Sequence, residues 1–149
     1  MRTQNFWSPM NKFLALKILP LHILLLITWV PASVSKILSP GVPEGFVQTF
    51  GPTFLSKFPG LFVSFYSIAL LEAVAAVLAL VSLAKLEFLP SRPKTWLKAC
   101  LVLSLFVFAQ LGFGNRLVND YASAASLYFY FGATLVMLFY VEFTEKQRA

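Results

Sequence analysis

Apolar residues gather in four blocks along this chain, each long enough to be read as a membrane span. Ile18–Ser35, Ala99–Asn115 and Tyr121–Val141 contain no Asp, Glu, Lys or Arg, and Phe58–Ala84 contains a single charge, Glu72. A bilayer core of about 30 Å takes roughly 20 helical residues to cross. The pattern predicts an all-α protein, a transmembrane four-helix up-down bundle in one domain over residues 1–149. The spans are expected at 13–38, 60–86, 96–117 and 122–143. The short connections between them favour antiparallel neighbours. Pro20 and Pro31 lie in the first span, and each is expected to bend it by removing a backbone donor.

The stretch 39–58 breaks the pattern. It holds Pro40, Gly41, Pro43, Gly45, Gly51 and Pro52, with Phe46, Phe50, Phe54 and Phe58 recurring every four residues. At helical spacing these rings form one stripe, interrupted at Gly51-Pro52. Two readings stand: a pair of short interfacial helices, or a mobile loop whose rings anchor at the headgroups. On the fourth span, Tyr128–Phe131 toward one end and Phe139, Tyr140 and Phe143 toward the other fit aromatic belts.

Composition narrows the class. Only 12% of residues are charged against 58% hydrophobic, where soluble domains carry about 25% charged. The lone Cys100 forms no internal disulfide and excludes a CxxC thiol oxidoreductase acting alone. The net charge of +6 does not point to nucleic acid. Four spans place Arg2, Lys12, Lys17, Lys85, Arg92, Lys94, Lys98, Lys146 and Arg148 on one side, and only Lys36, Lys57 and Arg116 on the other. That bias follows the positive-inside rule and puts both termini in the cytoplasm of a multi-pass protein of the cell (inner) membrane. Some of these residues are placed to meet anionic lipid headgroups. Arg116 and Asp120, four apart in the last turn, are expected to form an exposed ion pair. The start, with Lys17 before an apolar run and then Pro31-Ala32-Ser33-Val34-Ser35, has some features of a cleaved signal peptide. The long basic lead and the interruptions at His22 and Trp29 argue for a retained span.

A carboxylate inside a span is costly and marks a functional-site hypothesis. Glu72 lies 13 residues before Lys85, Trp29 12 after Lys17, Gln110 12 after Lys98, and Tyr130 12 before Glu142. At 1.5 Å per residue all four fall roughly 18–20 Å from the basic edge, one polar or amphipathic side chain per helix. Around Glu72, Ile68, Ala69, Ala75, Ala76 and Ala79 form a face of mostly small residues that suits close helix packing. On the first span His22, Leu26, Trp29, Ser33 and Lys36 share one stripe. Desolvation disfavours a carboxylate, so one reading has a protonated Glu72 donating to Gln110 or Tyr130 as a structural pin. The functional readings are a proton relay, or a polar handle in an apolar ligand pocket. Lys36 either snorkels to the headgroups or turns inward to pair with Glu72. A single histidine supplies no metal or haem site. No phosphate loop or hydrolase triad is present, and no catalytic residue is assigned.

The chain resembles the DoxX-like family of small four-helix membrane proteins. The resemblance rests on His22 and Lys36 fourteen residues apart, on Phe46, Phe50, Gly51 and Pro52 in the outer segment, and on Ala69-Leu70-Leu71-Glu72-Ala73. It covers residues 18–140 and is carried mostly by Lys36 and Glu72. His22 replaces the family's usual arginine, Leu26 and Ser33 replace common glycines, and the glycine-rich ending is missing. The resemblance implies association with membrane redox systems, including subunits of thiosulfate:quinone oxidoreductase, so quinone is the implied cofactor. Three functions follow as expectations. The first is an accessory or quinone-linked subunit, with Glu72, Trp29, Gln110 and Tyr130 lining a cavity on the lipid side. The second is a small proton-coupled carrier acting as a homo-oligomer, with Glu72 titrating. The third is an assembly factor holding client helices on small-residue faces.

Overall fold

The computed structural model describes residues 16–147. Helix α1 spans Leu19–Ile37, α2 Glu44–Phe50, α3 Leu61–Ala84, α4 Thr95–Leu117 and α5 Tyr121–Lys146, with a 3-10 turn at Phe54–Ser56. Four of these, α1, α3, α4 and α5, are long and apolar enough to cross a membrane. They form an all-helical up-and-down bundle. The expected start of the first span at Phe13 lies outside the described residues, as do Arg2, Lys12 and Arg148.

Side-chain pairings fix the direction of each helix. His22 meets Ser82 and Lys36 meets Glu72, so α1 and α3 are antiparallel. Gln110 meets Ser67 and Cys100 meets the Ala75 carbonyl, which sets α3 against α4. Lys98 meets Glu145, and Phe108 packs on Tyr130, which sets α4 against α5. Close packing joins α1 to α3, α3 to α4, and α4 to α5. No hydrogen bond or ion pair links α1 directly to α5 among the described residues, and a gap separates them. Ala75 and Ala79 are fully buried and Ala76 nearly so. The small-residue face of α3 is packed within this chain.

Helix ends explain how polar residues reach the core. Pro20 sits in the first turn of α1, where its missing N–H has no intrahelical partner to lose, so it opens the helix and does not bend it. Pro31 is the proline inside α1. At the end of α3 the chain turns through Leu86, whose φ of 56° is left-handed. Leu86 N–H donates to the Leu83 carbonyl and Glu87 N–H to the Ser82 carbonyl. This Schellman ending folds Glu87 back beneath the helix. At the end of α4 Asn119 takes the left-handed position (φ 59°), and Asp120 N–H donates to the Asn115 carbonyl. Asp120 then caps α5 by accepting from Ser123 N–H at 3.0 Å. Hydrogen bonding from Ser123 holds the Asp120 carboxyl below its ordinary pKa. The expected Arg116–Asp120 pair is not formed. Arg116 lies over the Tyr121 ring, 4.3 Å from its centroid, because Asp120 is committed to the cap.

The aromatic stripe of the outer segment divides at Gly51-Pro52. Phe46 and Phe50 stack at 4.6 Å, and Phe46 packs on Phe65 of α3 at 5.4 Å. Phe54 and Phe58 face outward, Phe58 79% exposed. Gly51 makes the division possible. It keeps a helical φ/ψ of −56°/−40° immediately before a proline, a conformation that a side chain at that position disfavours. A Cβ there would lie 2.6 Å from the Val47 carbonyl oxygen.

Candidate functional site

Glu72 is the central group. It is 2% exposed, and its oxygens lie 2.7 and 3.0 Å from the Lys36 ammonium. Lys36 projects from the end of α1, and its side chain is 26% exposed. An ammonium bridging both oxygens of a carboxylate is a strong charge-assisted arrangement. It stands in place of the pin to Gln110 or Tyr130 that one reading of the sequence offers. Gln110 donates to Ser67 at 3.3 Å, and Tyr130 packs on Phe108 with centroids 5.8 Å apart. Neither bonds to Glu72. Lys36 reaches it first because α1 packs directly on α3, whereas Tyr130 comes from α5, which does not. Of the two positions open to Lys36, the inward one is taken, and snorkelling is not.

Two cavities meet at this pair. One, about 430 Å³, opens in the gap between α1 and α5 and reaches Glu72. Trp29, Phe108 and Tyr130 wall it, with Thr28, Ala133 and Met137 at the sides. Trp29 is buried and crosses the bundle diagonally. Its indole N–H donates to the Ser104 hydroxyl at 2.9 Å, and its ring tilts against Phe108 at 5.0 Å. Ser104 in turn donates to the Cys100 carbonyl at 2.7 Å, so the Trp29 anchor is itself held. Tyr130 is 50% exposed and forms part of the rim. The second cavity, about 390 Å³, lies beneath α2 and is lined by Lys36, Gln110, Ser64 and the rings of Phe46, Phe50 and Phe65. The six residues singled out in the sequence therefore divide. Trp29, Glu72 and Tyr130 surround the first cavity, Lys36 and Gln110 the second, and the ion pair is the wall between them.

His22 belongs to neither cavity. It lies fully buried at the basic end, with Ser82 Oγ 2.8 Å from its Nε2 and the Ile18 carbonyl 3.2 Å from its Nδ1. Ser82 donates to Glu87 Oε2 at 2.8 Å. Glu87 then accepts from the backbone N–H groups of Trp96 (3.2 Å) and Leu97 (2.8 Å) in the first turn of α4. Glu145 does the same work from α5, accepting from Lys94 N–H and from the Lys98 ammonium, both at 2.7 Å. Two carboxylates thus serve one helix N-terminus, where orphan donors and the helix dipole favour negative charge. Sequence reasoning missed Glu87, Ser82 and Glu145. The available signal was a carboxylate placed between a span's last turn and the next span's first. Among the described residues no group of three or more His, Cys, Asp or Glu is placed to hold a metal ion.

Fold and site together define a class: a four-span integral membrane protein with a buried lysine–carboxylate pair between two apolar cavities. Comparison with protein-family models, with curated proteins and with solved structures found no match.

Proposed function

We propose that this chain is a DoxX-like accessory subunit of a membrane redox system, without catalytic activity of its own, that holds a quinone-type ring beside the Lys36–Glu72 pair. One observation carries the reading. The cavity that reaches Glu72 opens sideways between α1 and α5 and is walled by Trp29, Phe108 and Tyr130. Flat aromatic walls around a few polar groups suit a flat, lipid-soluble ring. The residues that carry the family resemblance, Lys36 and Glu72, are also the ones paired at the floor. In this reading the protein sits in the cell membrane with both termini in the cytoplasm and works beside a partner oxidoreductase.

The test is quenching of Trp29 fluorescence in a variant whose other tryptophans, Trp7 and Trp96, are phenylalanine. A short-chain ubiquinone added to nanodiscs should quench Trp29 saturably. Ala133→Phe, which fills the cavity from α5, should abolish saturation. Linear quenching that Ala133→Phe leaves unchanged would remove the basis for ring binding. Gentle-detergent purification should in addition recover a partner subunit.

A second reading, a small proton-coupled carrier, is favoured by the placement of the pair between cavities on either side. It requires proton flux in proteoliposomes that Glu72→Gln abolishes. The first reading requires none.

A further inference from the structure

The cavity beneath α2 contains a buried polar group with nothing to bond to. Ser64 is 8% exposed, and its hydroxyl is the one buried side-chain polar atom without a hydrogen-bond partner among the described residues. Burying a hydroxyl unpaired is unfavourable, and such exceptions call for an explanation. Ser64 is one of the residues lining a cavity of about 390 Å³, within the range of small-molecule sites. Two further donors line the same space. Lys36 has three N–H groups, of which two are directed at Glu72. Gln110 uses its amide nitrogen once, toward Ser67, leaving a second N–H. Ser67 offers nothing more, since its own hydroxyl donates to the Ser64 carbonyl. No Asp or Glu lines this cavity; Glu72 lines the other one and reaches this space only through Lys36. The remaining wall is mostly apolar, with the Phe46 ring in contact with both Phe50 and Phe65.

Donors and aromatic rings in the wall of one cavity suit an acceptor-rich head on an apolar chain. We infer that this cavity binds an anionic amphiphile. Its head meets the Ser64 hydroxyl and the free Lys36 and Gln110 donors, and its acyl chain lies against Phe46, Phe50 and Phe65. The head is a carboxylate if the ligand is a free fatty acid and a phosphate if it is a membrane phospholipid. Lys36 then bridges two anions, Glu72 on one side and the ligand on the other. The site is independent of ring binding between α1 and α5, from which the ion pair divides it.

The experiment is native mass spectrometry of the full chain in a neutral detergent, with laurate, dodecanol and dodecylamine offered in separate samples at equal concentration. Laurate should bind one per protein and at least tenfold more tightly than either of the others. Ser64→Ala should weaken laurate at least fivefold while leaving the melting temperature unchanged or raised, because it removes an unpaired hydroxyl and nothing else. Ala133→Phe should leave laurate binding intact, which separates this site from the ring site. Added phosphatidylglycerol that displaces laurate assigns the natural head to phospholipid. Laurate that persists against it assigns a fatty acid. Equal binding of laurate and dodecanol, or laurate affinity unaffected by Ser64→Ala, overturns the inference.

Discussion

Lys36 and Glu72 do not share their burial equally, and this asymmetry predicts how each responds to loss of the other. Glu72 is enclosed, while a quarter of the Lys36 side chain is exposed. Lys36→Met strands a carboxylate in a low-dielectric interior and should cost about 3–5 kcal/mol, the range for breaking a buried pair. Glu72→Gln frees an ammonium on a flexible stem that can swing outward, so it should cost less, about 1–2 kcal/mol. The double variant Lys36→Met/Glu72→Leu should recover part of the loss seen in Lys36→Met alone. Denaturant unfolding in micelles measures all three, and a Glu72→Gln cost above that of Lys36→Met would show the lysine to be the trapped partner. The inward place of Glu72 was legible from Ala69, Ala75, Ala76 and Ala79 around it. Its partner was not, because a lysine at a helix end reaches up or down with equal ease. Only the approach of α1 to α3 decides between the two.

At the scale of elements, the structure depends on how helices end. Glu87 closes the first turn of α4 and anchors Ser82, and it reaches both because Leu86 adopts a left-handed turn. Glu87→Ala leaves two backbone donors without their acceptor and removes the Ser82 hydrogen bond. The expected loss is about 2–4 kcal/mol. Amide exchange should accelerate at Trp96 and Leu97 while amides in the middle of α4 stay protected. In the outer segment, Gly51→Ala sets a methyl group against the Val47 carbonyl. A loss of roughly 1–3 kcal/mol is expected, in the range of overpacking, with α2 drawn away from Phe65 and weaker laurate binding. The spans were legible from apolar run length, and the break at Gly51-Pro52 from turn chemistry. The capping by Glu87 was not, because a leucine occupies the turn where glycine is the usual sign. Glu145 was illegible for a different reason: it lies 51 residues from the N–H it serves.

The whole molecule is tied unevenly. Helix α1 is held to α3 at two heights, by His22 and by Lys36, and to α4 by Trp29. The polar stripe on α1 showed that one face turned inward, as the burial of His22, Trp29 and Ser33 bears out. The 3.6-residue period says nothing about which neighbour each level meets, and the three levels meet different partners. The packing around α4 gives a global reporter. Cys100, the chain's one cysteine, is fully buried with its thiol directed at the Ala75 carbonyl. A membrane-permeant maleimide should label it at least about a hundredfold more slowly in the native bundle than in SDS, since labelling requires opening of the α3–α4 contact. Rapid native labelling would show that this contact is loose.

The seam between α1 and α5 has a consequence for how occupancy of the Glu72 cavity must be measured. A solute entering there arrives from the acyl chains, so its mole fraction in the bilayer governs binding. Diluting the sample with buffer at a fixed solute-to-lipid ratio should scarcely change occupancy of a strongly partitioning compound, whereas adding empty vesicles should deplete it.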